Sequence, residues 1–496
     1  MKQEYVAALD QGTTSSRAIL FDGRGKICAS AQKEFRQIYP KPGWVEHDGR
    51  DILESQFGCL REAMKKEGIQ PSQIAAIGVA NQRETVLLWD RFTGKPVYNA
   101  IVWQCRRTSA YCEKIEKTHG DMIYEKTGLR IDPYFSATKL KWIFDNVPFA
   151  RERAEKGELL FGTIDTFLIW NLTGGKVHAT DYTNASRTML FNIHSLEWDR
   201  DLCGLFGIPM CVLPQVKSSG ADYGLTDKKI FGAEIPICAA VGDQQSALFG
   251  HLSENAGTVK NTYGTGCFLL MDTGRKAVRS QNGLITTLTA SFGKPDYALE
   301  GSVFVGGAVV QWLRDGLGII KSASETQALA ESVPDTDGVV LVPAFVGLGA
   351  PHWDSECRGI LTGITRGTTA AHIVRAALES IALQVFDVVH AMEQDMRSNI
   401  NILCADGGAS ANGFLMQFQA DILGADVACP ACGETTAMGA AYLAGLYAGI
   451  YRNRDSLRAD AGTGKVYHPQ MSAAMRTEKL RSWVEAVRRT VYRPTP

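Results

Sequence analysis

The sequence predicts an α/β protein built from two related domains that face each other across a cleft. Three observations predict it. A strand–turn–strand motif occurs twice, half a chain apart. The length, 496 residues, exceeds what one ordinary core accommodates. An opening β-meander gives way to alternating strands and helices, the order of a mixed sheet covered by helices. The first copy of the motif reads Tyr5-Val-Ala-Ala-Leu-Asp10-Gln-Gly-Thr-Thr-Ser-Ser-Arg17-Ala-Ile-Leu-Phe-Asp22. The second reads Val259-Lys-Asn-Thr262-Tyr-Gly-Thr265-Gly-Cys-Phe-Leu-Leu-Met-Asp272. Gly12-Thr13 and Gly264-Thr265 hold the same place in each copy. Two such tips, with exposed backbone N–H groups and hydroxyls, would hold a polyphosphate from two sides, which places a nucleotide in the cleft.

The elements follow in order. Residues 5–10, 16–22 and 26–32 form the meander, and the polar, Pro-rich stretch Tyr39–Asp48 is a loop. Apolar residues at 52, 53, 57, 60 and 64 predict a helix from about Asp51 to Glu67. Ile74–Ala80 is a buried strand that runs into the polar turn Asn81–Thr85 and a further strand, Val86–Trp89. Strands and helices then alternate through Gly242. The second half repeats the style. Its hairpin leads to a helix near Gly306, a strand at Val339–Pro343 and the loop Ala344–Pro351. A long helix spans Ala370 to Arg397. Strand Ile400–Cys404, a turn at Ala405–Ser410 and helix Gly413–Leu423 follow. Thr435–Gly449, rich in Ala and Gly, is a tightly packed helix. The domain boundary falls near Gly250–Gly257, giving domains 1–250 and 251–496.

Lys plus Arg number 52 against 53 Asp plus Glu, a balance that calls for neither nucleic acid nor an acidic membrane surface as partner. The first residues enter a strand without an apolar signal region, and no apolar run approaches the roughly 18 residues of a membrane span. The expectation is a cytoplasmic protein without membrane insertion. Twelve Cys in apolar or helical surroundings read as reduced thiols. The pair Cys429 and Cys432 lacks the second pair or His partners that a zinc site needs, so it reads as structural or incidental.

Several nucleotide signatures are absent. Gly462-Thr-Gly-Lys465 lacks the P-loop spacing, and neither the dinucleotide fingerprint nor a protein-kinase catalytic loop occurs. A bound nucleotide must then rest on the Gly-Thr hairpins. Thr13, Thr14 and Ser15 offer donors where the chain turns, and Arg17 follows four residues after Thr13. Asp10 ends the preceding strand, and a carboxylate there tolerates phosphate only with Mg²⁺ between them, held through water. A plain β-turn is the alternative, which the second copy at Thr265 weighs against. Asp406-Gly407-Gly408 lets a flat ring or ribose approach the backbone, with Asn412 one turn on; a simple tight turn explains it equally well. Asp243, flanked by Gln244 and Gln245 after a buried strand, suits a general base for an alcohol, or an N-cap, or both. Arg83 and Glu84 are able to grip adjacent hydroxyls of a polyol, with Trp103 and Tyr134 as an apolar wall. On residue type alone, a surface ion pair beside core aromatics is the simpler reading of that group.

These segments resemble the FGGY family of carbohydrate kinases over nearly the whole chain. They are Ala8–Arg17, Tyr39–His47, Asn81–Thr85, Ile101–Arg107, Asp132–Ser136, Asp181–Arg187, Gly242–Gln245, Asn261–Gly266 and Phe345–Pro351. The resemblance implies two ribonuclease-H-like domains of the actin and hexokinase type, closing on ATP. It implies ATP-dependent phosphorylation of glycerol to sn-glycerol 3-phosphate. Arg83, Glu84, Tyr134, Asp243 and Gln244 would hold glycerol, with Trp103 and Phe268 along its carbon edge and Asp243 as base. Thr13, Thr14, Ser15 and Arg17 would meet the phosphates from the first domain. Thr265, Gly307, Gln311, Gly408 and Asn412 would bind the nucleotide from the second, and Asp10 would orient Mg²⁺. The family pattern also implies a homo-oligomer, a dimer or tetramer.

The chain departs from some relatives in regulatory segments. Lys228–Glu234 ends on an acidic residue, Glu234, where a fructose 1,6-bisphosphate loop would carry a basic one, and no phosphorylatable His lies between 195 and 250. The segment Tyr467–Ala474 likewise differs from a docking site for a sugar-transport protein. The competing readings are a kinase for another polyol or a ketose, and an actin-like nucleotide-dependent scaffold.

Overall fold

The computed structural model describes residues 4–252, 256–354, 356–462 and 464–491. Residues 253–255 of the expected domain boundary lie outside the described residues. The first half builds a five-stranded sheet from β1 (Tyr5–Gln11), β2 (Ser15–Phe21), β3 (Ile27–Glu34), β4 (Ile74–Asn81) and β5 (Ile237–Gly242). Its order is β5-β4-β1-β2-β3. The second half builds a seven-stranded sheet from β6 (Val259–Tyr263), β7 (Cys267–Gly274), β8 (Ile285–Leu288), β9 (Tyr297–Val303), β10 (Ile402–Asp406), β11 (Asp426–Cys429) and β12 (Lys465–Tyr467). Its order is β8-β9-β7-β6-β10-β11-β12.

Without edge strands β8 and β12, the inner five of the second sheet match the first in order and direction. In both, the first strand pairs antiparallel with the second and parallel with the fourth. The third is antiparallel to the second, and the fifth parallel to the fourth. The motif that recurs in the sequence is therefore the first hairpin of a duplicated fold. β1 is buried on both faces, which its uninterrupted Val6-Ala-Ala-Leu9 core allows.

Helix α1 (Gly49–Glu67) starts at Asp48, whose carboxylate accepts from Arg50 N, and stops at Gly68 in the left-handed region. Its Ile52, Leu60 and Ala63 pack with Ala7, Leu9 and Ala18 of the first sheet. Helix α2 (Asp243–Gly250) follows β5; in the second half, α3 (Ala370–Met396) and α4 (Gly413–Leu423) frame the second sheet. Helix α5 (Thr435–Tyr447) crosses back: Ala437, Ala440 and Leu443 pack with Val6, Ala8, Ile19 and Val241 of the first sheet. Its Ala and Gly content has a steric cause. A Cβ at Gly439 would stand 1.9 Å from Ser246 O, so α5 and α2 meet backbone to backbone.

Several expectations shift. The stretch Tyr39–Asp48, expected as loop, contains a two-residue strand, Glu46–His47. The helix near Gly306 is a single turn, Ala308–Gln311, that widens into a π-turn at Trp312–Gly316. The strand expected at 400–404 lies at Ile402–Asp406, which puts Asp406 on its last residue. All twelve cysteines are unpaired.

Candidate active site

The first hairpin tip closes through Gly12 N donating to Ser15 O at 3.0 Å. A buried polar chain props it from behind. Gln82 Nε2 donates to Gly12 O at 3.1 Å, Gln37 Nε2 donates to Thr13 O at 3.2 Å, and His47 Nε2 lies 2.8 Å from Gln37 Oε1. Burial lowers the His47 pKa to about 4, so the ring stays neutral and serves as scaffolding. Thr13 Oγ1 accepts from Trp103 Nε1 at 2.9 Å, and Ser15 Oγ accepts from Gln32 Nε2 at 2.9 Å. Thr14 is exposed at the tip. Arg17 lies opposite Asp10 in the ladder and donates to Glu434 and, at 2.8 Å, to Gln32. Burial pushes Asp10 up to about 7; Arg17 opposes the shift, while Asp243 and Glu434 add to it.

The second hairpin tip is gripped by the following turn: Gly307 N donates to Gly264 O and Gly306 N to Thr265 O, each at 2.8 Å. Beside it opens a cavity of about 580 Å³. Thr265, Gly307, Gln311, Gly408 and Asn412, the five expected second-half residues, all line it. Asn412 caps α4 by accepting from Leu415 N at 3.0 Å, and its amide donates to Thr326 Oγ1 at 3.1 Å. Gly407 has φ of +88°, and a Cβ there would stand 2.7 Å from Tyr263 O, so this turn requires glycine. A Cβ at Gly408 would meet nothing within 4 Å, which leaves a flat approach to the backbone. Arg314, Thr326 and Gln327 also line this cavity and carry no expectation from the sequence. Arg314, three residues after Gln311 on one helical element, was the readable one.

Between the two tips lies a charged cluster. Arg83 and Glu84 are buried, not a surface pair; their side chains are 2% and 1% exposed. Arg83 donates to both oxygens of Glu300, at 2.7 and 2.9 Å, and its Nε lies 3.3 Å from Asp243 Oδ1. Arg187 joins the same cluster, donating to Glu84 Oε1 at 2.5 Å and to Glu300 Oε1 at 3.0 Å. Glu84 has φ of +60°, an uncommon value for a side-chain-bearing residue. Tyr134 OH accepts from Arg83 Nη2 at 3.4 Å. Trp103 meets Tyr134 edge-on at 5.5 Å and Phe268 at 6.2 Å between ring centres, forming one aromatic wall from both halves.

Asp243 is the first residue of α2; the cap is Gly242, so the N-cap alternative is corrected. Its carboxylate accepts from Gln244 N at 2.7 Å. The side chain is 29% exposed, yet burial raises its pKa against the pull of Arg83 and Lys260. A carboxylate so placed accepts a proton more readily than one in water.

Sequence reading missed Glu300, Arg187 and Lys260; Gln245, read as an amide flanking Asp243, accepts from Arg83 Nη1 at 3.1 Å. Glu300 had a signal, a lone acid within the apolar strand Tyr297–Val303. Arg187 ended a recognised segment without a role.

The sequence models of the FGGY family of carbohydrate kinases match this chain, the N-terminal domain over residues 5–250 and the C-terminal domain over residues 259–448. The chain is 58% identical to glycerol kinase 2 of Thermotoga maritima, over 98% of this chain and 99% of that one. It is 57% identical to a glycerol kinase of Clostridium botulinum over 98% of each chain. Among solved structures, it superposes on glycerol kinase of Plasmodium falciparum, determined with ADP. The TM-score is 0.93 at 39% identity, over 99% of both chains. Gluconate kinase of Lactobacillus acidophilus, at 22% identity and a TM-score of 0.87, shares the fold over 98% of both chains.

Proposed function

The chain belongs to the FGGY family of carbohydrate kinases, and from that premise we propose that it transfers the γ-phosphoryl group of ATP to glycerol, giving sn-glycerol 3-phosphate. The observation that carries the reading is Asp243, a carboxylate of raised pKa held 3.3 Å from Arg83 and beside Lys260 of the second sheet. In this reading Asp243 accepts the proton of the attacking hydroxyl. Arg83, Glu84, Tyr134 and Gln244 hold the other hydroxyls, and Trp103 and Phe268 pack on the carbon edge. Thr13, Thr14, Ser15 and Arg17 receive the phosphates; Thr265, Gly307, Gln311, Gly408 and Asn412 receive the rest of the nucleotide. Arg17 would exchange Glu434 for phosphate. Because the transfer is in-line and loose, positioning and charge neutralisation do most of the catalysis. Exclusion of water from the closed cleft keeps it from competing as acceptor.

The carboxylates fit Mg²⁺. Asp10 is pushed up by burial and by the neighbouring charge of Asp243, and a cation would relieve both. Asp10 would hold the ion through water, and the ion would neutralise charge on the transferred phosphate.

The domain division 1–250 and 251–496 belongs to this proposal, the first part serving acceptor and phosphates, the second the nucleotide. So does a cytoplasmic location, which the twelve unpaired thiols favour. No helix among the described residues is long and apolar enough to cross a membrane. Self-association belongs here too, and light scattering on the purified chain tests it. Glu234, standing where a fructose 1,6-bisphosphate loop carries a basic residue, supports the absence of fructose 1,6-bisphosphate inhibition; micromolar inhibition would refute that.

The aromatic wall favours a three-carbon acceptor over a larger sugar, and a scaffold would leave Asp243 and Arg83 unused. Steady-state turnover with an acceptor panel tests the reading. Glycerol should exceed xylulose and gluconate in kcat/KM by at least about 100-fold; equal or better turnover of either sugar moves the specificity.

A further inference from the structure

Lys260, on β6 of the second sheet, has a fully buried side chain. A buried ammonium is costly unless acceptors and opposite charge surround it. Its Nζ donates to Gln244 Oε1 at 2.6 Å, across from the second half of the chain to the first. The charged groups facing it are Asp406, Asp243 and Glu300, with Arg83 opposing them. Asp406 itself is held by His251 Nε2 at 2.7 Å and stands at the end of β10, directly before the Gly407-Gly408 turn of the nucleotide cavity. One side chain therefore links that turn to the residues beside Asp243. No part of the transfer described above uses it.

The link has a chemical consequence for Gln244. An ammonium has three donors and no acceptor, so only the amide oxygen can face it. Oε1 is committed to Lys260, and Nε2 is the group left for a hydroxyl oxygen of the acceptor. Without the lysine, the amide is free to turn either way.

We propose that Lys260 is a positioning residue for the acceptor alcohol: from the second domain it fixes the donor face of Gln244 toward the polyol and supplies countercharge beside Asp243. This rests on the reading of Asp243 and Gln244 as acceptor-site residues.

The test uses the full chain with Lys260→Met and Lys260→Arg, each also in a Gln244→Ala background. ADP titration by calorimetry accompanies glycerol kinetics. In Lys260→Met, kcat/KM for glycerol should fall at least about 30-fold while ADP affinity changes less than about twofold. Lys260→Arg should recover part of the loss. In Gln244→Ala, the same Lys260→Met change should cost less than about threefold, because its partner is already gone. Unchanged glycerol kinetics, equal losses in both backgrounds, or a parallel loss of ADP affinity would overturn the proposal. If Lys260→Met does not fold, Lys260→Arg read in the two backgrounds decides. A larger effect with Gln244 present supports the link, and equal effects overturn it. A wild-type chain without glycerol-stimulated turnover fails the functional reading itself; an active wild type with a silent Lys260→Met fails this inference alone.

Discussion

Glu300 holds Arg83 through two charge-assisted hydrogen bonds of 2.7 and 2.9 Å, and the two residues come from opposite halves of the chain. Glu300 is fully buried, and its pKa falls below the ordinary value because Arg187 and Arg83 outweigh the cost of burial. The guanidinium proposed to face the acceptor is thus oriented by a carboxylate from the other sheet.

Replacing Glu300 by Gln keeps the shape and removes the charge that two buried arginines share. The expected outcome is a glycerol KM raised at least about 10-fold, an ATP KM within about twofold of the parent, and a lower Tm. Unchanged glycerol kinetics would show that Arg83 keeps its orientation without this partner.

Asp243→Asn preserves the hydrogen bond from Gln244 N and removes the base. A kcat lowered by at least about 100-fold with modest change in glycerol KM is expected. Near-normal turnover would remove Asp243 from that role.

The aromatic wall should set acceptor size. Trp103→Ala also removes a hydrogen bond to Thr13, so Phe268→Ala is the cleaner probe. It should lower kcat/KM for glycerol about 10-fold and improve the relative rate with four- and five-carbon polyols. An unaltered acceptor ranking would contradict a wall at this position.

His47 gives the protein a pH dependence with a definite sign. Its pKa is lowered to about 4 in the folded chain, against 6.5 ordinarily. Between these values the unfolded chain binds a proton that the folded chain does not, so stability falls as pH drops from 6.5 to 4. The share of one such histidine is at most roughly 3 kcal/mol. Asp165, pushed up to about 7 by burial, acts in the opposite sense, so the comparison must be made between variants. His47→Gln should lose less Tm than the parent over this window, measured by calorimetry. Parallel pH profiles would exclude His47 as a contributor.

Much of this architecture was legible because local pattern and tertiary role coincide. The hairpin at Tyr5–Phe21 reads as strands on any scale, and its second copy located the second sheet. The α5 helix was readable from its Ala and Gly residues, but not its destination. Its contact with the first sheet depends on Gly78 meeting Ala440, residues from opposite halves of the chain. Of the proposed acceptor site, Asp243 was readable and Arg83 only ambiguous. A sequence shows that Arg83 and Glu84 adjoin, but not that Glu300 and Arg187 enclose them. Burial of the pair is a property of the fold, and burial is what distinguishes a built site from a surface ion pair. Lys260 was invisible for the same reason: its partner Gln244 lies on the other sheet's helix.

The most direct measurement is ADP release from Mg-ATP by the purified chain, with and without millimolar glycerol, with the product identified by mass and stereochemistry. Strong stimulation by glycerol with sn-glycerol 3-phosphate as the product is the expected result. Nucleotide binding without any acceptor-dependent ADP release, or phosphorylation only of a larger sugar, would contradict the reading of this cleft.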